Sequence, residues 1–447
     1  MGLNGIFHSV TLREDRCKGC INCMKRCPTE AIRVREGKAT IINERCIDCG
    51  ECIRVCPNLA KQAVSDGFDV LDRFAWKVAM PAPSFYGQFD NIDDINIILT
   101  GLKRIGFDDV FGVARAAEIV SDLTRKNHAS MSQKVSGPII SSACSAVVRL
   151  IRVRFPELCA NVLPVNEPLH LASRMAKEEA AAKTGLPMDQ IGVFFISPCP
   201  AKVTSAKSPI GIQRSYVDGV LSASAVYFRM LSALKTVDVP ENLLQSGIVG
   251  INWGVSGGES AALLTDKYLT ADGIENVIKV LEAVEDDKLD DLDFVELNAC
   301  PGGCVGGVLN IANAFVARSR LKTLRKYLPV MKNKSEGNDS RMFWEAALEY
   351  ETIDKLDDDL AEAMNKMKKI DQMAKHLPGL DCGSCGAPSC RAFAQDVVRG
   401  DASENDCIIR FREQLSMLSG LGIDLESIIP APFRQHGRGE SDEPHES

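Results

Sequence analysis

The residues able to do chemistry in this chain of 447 are its seventeen cysteines. They fall as Cys17, Cys20, Cys23 and Cys27; Cys46, Cys49, Cys52 and Cys56; Cys144, Cys159 and Cys199; Cys300 and Cys304; and Cys382, Cys385, Cys390 and Cys407. A chain of this size in a reducing compartment does not need a disulfide framework, so metal binding or catalysis is the better expectation. The runs CKGCINCMKRCP and CIDCGECIRVCP write one pattern twice, C-x2-C-x2-C-x3-C-P. Its tight loop delivers three thiolates from a single backbone turn, as an iron-sulfur cubane requires. A pair of zinc sites is the alternative, but those usually space their ligands as two separated C-x2-C pairs.

The elements that must position the middle cysteines begin near residue 75. Apolar segments alternate with helical patterns, as in RFAWKVAMPAPSF, DINIILTGLKRIGF and GPIISSACSAVVRLI, a rhythm that implies parallel sheet covered by helices. Three apolar runs end on a cysteine: GPIISSAC at Cys144, IGVFFISPC at Cys199 and LDFVELNAC at Cys300. Ligands of open α/β sheets gather beyond the carboxyl ends of strands, so these three can meet in one crevice with Cys304 four residues further on. The stretch GVSGGES lacks the lysine of a phosphate-binding loop and is expected to form a wall of the same cavity. The glycines of CPGGCVGG are expected to let a bulky group approach backbone N–H groups.

Bulk properties narrow the partners. The net charge of -8 argues against a nucleic-acid or anionic-membrane surface. No apolar run reaches the roughly 18 residues of a membrane span, and the start MGLNGIFHSV lacks a basic segment followed by an apolar one. A cytoplasmic protein is expected.

The N-terminal repeat resembles a bacterial two-cluster ferredoxin, and that resemblance assigns Cys17, Cys20, Cys23 and Cys56 to one 4Fe-4S cluster and Cys46, Cys49, Cys52 and Cys27 to the other. PAPSF (81–85), SACS (142–145), SPCPAK (197–202), WGVSGGES (253–260) and ACPGGCVGG (299–307), in this order, resemble the catalytic domain of the iron-only (FeFe) hydrogenases over roughly residues 75–330. The resemblance implies an H-cluster, a 4Fe-4S cubane joined to a diiron centre carrying CO, cyanide and a dithiolate bridge. Cys144, Cys199, Cys300 and Cys304 would be its ligands, with Cys304 as the bridge. Lys202 would contact one cyanide, while Pro83 and Ser84 would line the other.

The departures from that family carry information too. Ala143 stands where fast members have a proton-relaying cysteine, and a methyl group exchanges no protons. Ser197 and Asn298 replace two methionines that pack on the diiron site, and Val308 replaces a glycine. Glu118 and Asp122, one turn apart in ARAAEIVSDL, are expected on a solvated helix face, with an alternative proton path as the other reading. Slow turnover follows.

The last set, Cys382, Cys385, Cys390 and Cys407, is spaced C-x2-C-x4-C-x16-C and resembles the small 4Fe-4S domain that ends sensory-type FeFe hydrogenases; a zinc site is the alternative. Cys159 is expected to be a buried small hydrophobe. The stretch from Phe343 to Leu377 reads as helix, with Met364, Met367 and Met373 as packing residues rather than sulfur ligands, and the polar tail APFRQHGRGESDEPHES as disordered. No histidine sits in a ligand pattern.

The expected architecture is an α/β catalytic domain of two parallel-sheet lobes around a cleft, an α+β ferredoxin-like domain and a small helical 4Fe-4S domain. Expected boundaries are 1–70 for the two-cluster domain, 75–335 for the catalytic domain, 340–376 for a helical connector, 377–427 for the C-terminal cluster and 428–447 for the tail. The expected activity is hydrogen:acceptor oxidoreduction, interconverting H2 with protons and electrons slowly in a sensory role. The partners would be an electron carrier such as ferredoxin and a protein that receives the signal. The alternative is an iron-sulfur electron-transfer or cluster-assembly protein with a cubane and no diiron site.

Overall fold

The computed structural model describes residues 7–132, 135–335, 340–353 and 355–418. They group into two compact units, Met1–Lys355 and Leu356–Ser447. The first unit begins with the cysteine repeat. Strand β1 (Val10–Leu12) will pair with β4, and between them lies a hairpin of β2 (Ile32–Arg35) and β3 (Lys38–Ile41). β4 (Lys61–Ala63) returns antiparallel to β1 with Val10 opposite Ala63. The strands are too short to close a core alone, and six cysteines pack with Val10, Met24 and Ile32 in its place.

Two parallel sheets follow. In the first, β5 (Trp76–Pro81) lies between β6 (Asp109–Val110) and β8 (Ile191–Ser197), and β9 (Gly219–Ser222) flanks β8. β8 reads IGVFFIS and every residue is buried, the unbroken apolar run that a strand covered on both faces requires. The second sheet has β11 (Phe294–Asn298) between β10 (Tyr268–Asp272) and β7 (Ile139–Ile140), all parallel. The helices Val113–Ser132 and Pro168–Thr184 pack against one core with β5 and β8, while the helix Ser145–Arg154 and Ile274–Glu285 cover β11. The alternation of strand and helix therefore produces the two parallel-sheet lobes that the sequence implies. No helix among the described residues is long and apolar enough to cross a membrane.

Several expectations need correction. The helix anticipated from Phe343 spans only Leu360–His376. Residues 343–353 instead run along the first unit: Phe343 bridges Val165, Trp344 N–H donates to the Pro164 carbonyl, and Glu351 N–H donates to that of Arg152. Asp359 then caps the helix by accepting from the Glu362 N–H, so a sequence of uniform helical appearance holds a start signal in its middle. The anticipated connector 340–376 is thus divided between the two units. Met364 and Met367 are largely exposed within the second unit, where Ile370 is the buried residue of that helix. Burial of Glu118 and Asp122 replaces the solvated face. Glu118 accepts from the backbone N–H groups of Gly247, Lys332 and Asn333, and Asp122 from that of Ser335, so both carboxylates anchor a loop. The expected disorder of the tail falls outside the described residues.

Candidate metal centres and cavity

Each central cysteine follows a strand end. Cys144 caps the helix Ser145–Arg154 after β7, Cys199 caps the helix Pro200–Lys207 after β8, and Cys300 follows β11 by two residues. Cys304 begins a short 3-10 turn, Cys304–Gly306. Cys199, Cys300 and Cys304 each feel the charge of at least one other central thiol. Burial pushes the Cys199 thiol far up, with Cys300 and Cys304 adding to it. Burial likewise pushes Cys304 up to about 11, eased by Lys202 and reinforced by Cys144. Cys300 is raised by burial and by Cys144 and Cys304, against the pull of Arg54. Half-buried thiols gathered in this way suit deprotonation by metal.

The glycines around them also meet backbone constraints of the fold. Gly302 and Gly303 have φ of 78° and 87°, and a Cβ on Gly303 would stand 2.4 Å from the Ser256 nitrogen. A Cβ on Gly306 would stand 1.9 Å from the Pro301 carbonyl oxygen. Backbone crossing backbone, and left-handed turns, set these positions. Val308 packs its Cγ2 where a Gly50 side chain would be, at the contact with the N-terminal repeat.

Beside Cys304 is a hollow lined by Pro83, Ala143, Lys202, Trp253, Glu259, Glu296 and Asn298 among others. Glu259 belongs to the stretch GVSGGES expected as a wall, and Trp253 directly precedes it. Ser84 is fully buried next to Pro83, and its hydroxyl has no hydrogen-bond partner. Ser197 does not line the hollow; its hydroxyl donates to the Cys199 carbonyl, 2.9 Å away.

Two features of this wall escape sequence reading. The first is a buried carboxyl pair. Glu259 accepts from the Ser141 hydroxyl at 2.6 Å, while Glu296 accepts from the N–H groups of Gly257 and Ser260 and from the Asn298 amide. Burial, then repulsion from Glu296, pushes Glu259 up to about 8, and burial raises Glu296 as well. The second is Glu167, whose Oε2 lies 2.5 Å from the Lys202 ammonium. Burial alone would raise Glu167, but Lys202 and then His170 hold it well below the usual carboxylate range. Burial opposes the Lys202 charge as well, yet Glu167 outweighs it and lifts the lysine above its usual range. Neither carboxylate lies in a local motif.

The N-terminal cysteines lie near one another across the two repeats. Burial raises Cys23, with contributions from Cys20, Cys56 and Cys17. Cys46, Cys49 and Cys52 are raised far by burial, and each also feels Cys27. Cys20 is exposed, whereas Cys49 is near enough to affect Cys300. His8 adds an unforeseen neighbour: its Nδ1 lies 2.9 Å from Asp48, whose carboxylate sits beside Cys46. In the second unit Cys385 and Cys407 pack in one apolar cluster with Phe393, and Cys390 heads the helix Cys390–Arg399 with its N–H donated to Asp381. Cys159 is buried in the apolar cluster of the helix Ser145–Arg154 and β11, as a small hydrophobe would be.

Comparison with known proteins gives a consistent picture. A family model described as the iron-only hydrogenase large subunit, C-terminal domain, matches residues 76–264 and 254–308. A 4Fe-4S dicluster model matches 9–57 and an Fe-S cluster model matches 377–409. The NADP-reducing hydrogenase subunit HndD of Solidesulfovibrio fructosivorans is 23% identical over 67% of this chain and 56% of its own length. Iron hydrogenase 1 of Clostridium pasteurianum is 23% identical over 48% of this chain and 45% of its own. The chain thus spans about half the length of these curated relatives. Among solved structures, a variant of the FeFe-hydrogenase HydA1 from Chlamydomonas reinhardtii superposes with a TM-score of 0.44 at 15% identity, over 57% of this chain and 86% of that one.

Proposed function

The chain belongs to the iron-only hydrogenase large-subunit family, and from that premise we propose that it binds an H-cluster and interconverts H2 with protons and electrons slowly, in a sensory role. The observation that carries this is the meeting of Cys144, Cys199, Cys300 and Cys304 beside a hollow bordered by Cys304. These residues would hold the central cubane. Cys17, Cys20, Cys23 and Cys56, then Cys27, Cys46, Cys49 and Cys52, would hold two ferredoxin-type cubanes, and Cys382, Cys385, Cys390 and Cys407 a fourth.

The residues around the hollow fit the diiron centre of that cluster. Pro83 lines the hollow while Ser84 beside it does not, and Lys202 reaches the cavity with two of its three N–H bonds used, by Glu167 and by the Ala143 carbonyl. A buried ammonium donor suits an anionic ligand there. When bound, the diiron centre supplies the place where hydrogen is formed or split. The chain's own residues must bring protons and electrons to it.

For protons, Ala143 contributes no exchangeable group. The Glu259–Glu296 pair takes that role, because a carboxyl held near pH 8 both keeps and releases a proton at neutral pH. The relay then starts from the cavity wall rather than from the residue before Cys144, which favours slow turnover. For electrons, the exposed Cys20 marks the end where a carrier such as ferredoxin would dock, and the proximity of Cys49 to Cys300 marks the inner end. A sensory role requires a partner protein to receive the signal.

Infrared spectroscopy of the protein reconstituted with the diiron cofactor tests the reading. CO and cyanide bands are expected; their absence would leave a cubane-only electron-transfer or assembly protein. A hydrogen evolution rate equal to that of fast family members would contradict slow turnover.

A further inference from the structure

Lys202 does not enter the hollow as a free cation. Its Nζ donates to Glu167 Oε2 at 2.5 Å and to the Ala143 carbonyl at 2.9 Å. Glu167 is itself immobilised: the Ser145 hydroxyl donates to Oε2 at 2.9 Å, the Ser205 hydroxyl donates to Oε1, and His170 Nε2 lies 3.2 Å from Oε1. Glu167 also precedes the helix Pro168–Thr184 as its N-cap residue, where a negative charge faces the positive end of the helix. One carboxylate therefore ties together three elements that border the hollow: the turn bearing Ala143 and Cys144, the helix bearing Lys202, and the start of the helix bearing His170.

We infer that Glu167 is a positioning residue for the cofactor cavity, fixing the Lys202 ammonium so that one N–H is left to meet an anionic ligand there and neutralising the rest of its charge. The geometry requires the first half of this statement. An ammonium has three donors, two are directed by Glu167 and Ala143, and the remaining one belongs to the side that lines the hollow. The second half follows from pairing, since a buried cation with a counter-ion 2.5 Å away presents a dipole rather than a full charge to its other neighbours. The Ala143 backbone thus has a part in the cavity although its side chain exchanges no proton.

The inference rests on the reading above that a cyanide-bearing cofactor occupies the hollow, and its test separates the two. In reconstituted protein, Glu167→Gln keeps the shape and removes the charge. Lys202 then withdraws electron density from the ligand it meets, less density reaches the metals, and the CO and cyanide bands shift, the CO bands to higher frequency. In a Lys202→Met background the same Glu167 substitution should leave the bands where Lys202→Met alone puts them, which a purely structural role for Glu167 would not produce. Ser205→Ala, which removes one donor to Glu167 and is milder for folding, should move the bands less and in the same direction.

A second readout needs no diiron centre. Cys304 and Cys199 both feel the Lys202 charge, so in protein carrying only its cubanes Glu167→Gln should shift the midpoint potential of the central cluster to a more positive value, again only while Lys202 is present. Bands that are present but unmoved, together with an unchanged potential, overturn the inference. If the unsubstituted protein shows no bands at all, the hydrogenase reading fails and the potential alone decides the role of Glu167.

Discussion

The N-terminal cysteine repeat and the central cavity both gather four thiols, by opposite means. In the proposed assignment each N-terminal set takes three cysteines from one tight loop and a fourth from its twin, all between residues 17 and 56. The central set draws on residues 144, 199, 300 and 304, carried to one place by β7, β8 and β11 from two different sheets. A site assembled by local spacing depends on the backbone turn around it. A site assembled by strand ends depends on every core that holds those strands in register, so it inherits the stability of the whole first unit. The same contrast applies to charge: the acids of the local repeat, Asp48 and Glu51, belong to its own loop, whereas Glu259, Glu296 and Glu167 reach the central site from distant segments.

The largest effect that could break this contrast is loss of a central ligand. Cys300→Ser is expected to remove the central cubane and any diiron centre attached to it while the N-terminal pair persists, so iron content falls by about a quarter of the cubane iron. Electron paramagnetic resonance of the reduced protein should keep the interacting signal of the N-terminal clusters. Loss of all clusters together would show that the two regions are not independently assembled.

How much of this was legible in the sequence follows the same division. The repeat of Cys17 to Cys56 could be read because its ligands are neighbours in the chain. The central set could be read only because three apolar runs happen to end on cysteine, a pattern that strand-end geometry makes meaningful. Glu259 and Glu296 are partners because WGVSGGES folds against β11, and nothing in either stretch announces the other. Glu167 reads as a residue before proline, a helix start, until the Pro200–Lys207 helix sets Lys202 and Ser205 against it. The helix expected from Phe343 failed for a different reason, since tertiary contacts with Pro164 and Arg152 hold residues 344–351 extended along the first unit despite their helical composition.

The carboxyl pair gives the next effect. Glu259 titrates higher in the folded chain, at about 8, than a carboxylate does when unfolded, so between pH 5 and 8, on the order of both values, the unfolded state has lost a proton that the folded state keeps. Stability from this group is therefore present at low pH and falls as pH rises, by about 1.4 kcal/mol per pH unit for one whole proton. Glu259→Gln should flatten the pH dependence of chemical denaturation in that window. It should also cut hydrogen turnover by roughly a hundredfold if Glu259 relays protons. A flattened stability profile with unchanged turnover would leave the pair as a structural feature of the wall, and its assembly from distant segments would lose its functional meaning.

The smallest effect lies where the two regions touch. Arg54, from the helix Glu51–Arg54 that carries Cys52, donates from its guanidinium to the Gly306 carbonyl at 2.8 Å and also holds Glu51. Its charge draws the Cys300 thiol down against the effect of burial, so a residue of the local site acts on a ligand of the distant one. Arg54→Ala should cost about 1–2 kcal/mol by leaving that carbonyl unpaired, which denaturant melts can read. It should also shift the central cluster to a more negative potential, because a positive charge near a cluster stabilises its reduced form. Arg54→Lys separates the two contributions: lysine keeps the charge but not the planar fork, so the potential should be largely retained while the stability loss remains. Equal potentials in all three proteins would mean that the seam is mechanical only, and that the N-terminal region sets neither the charge nor the tuning of the central site.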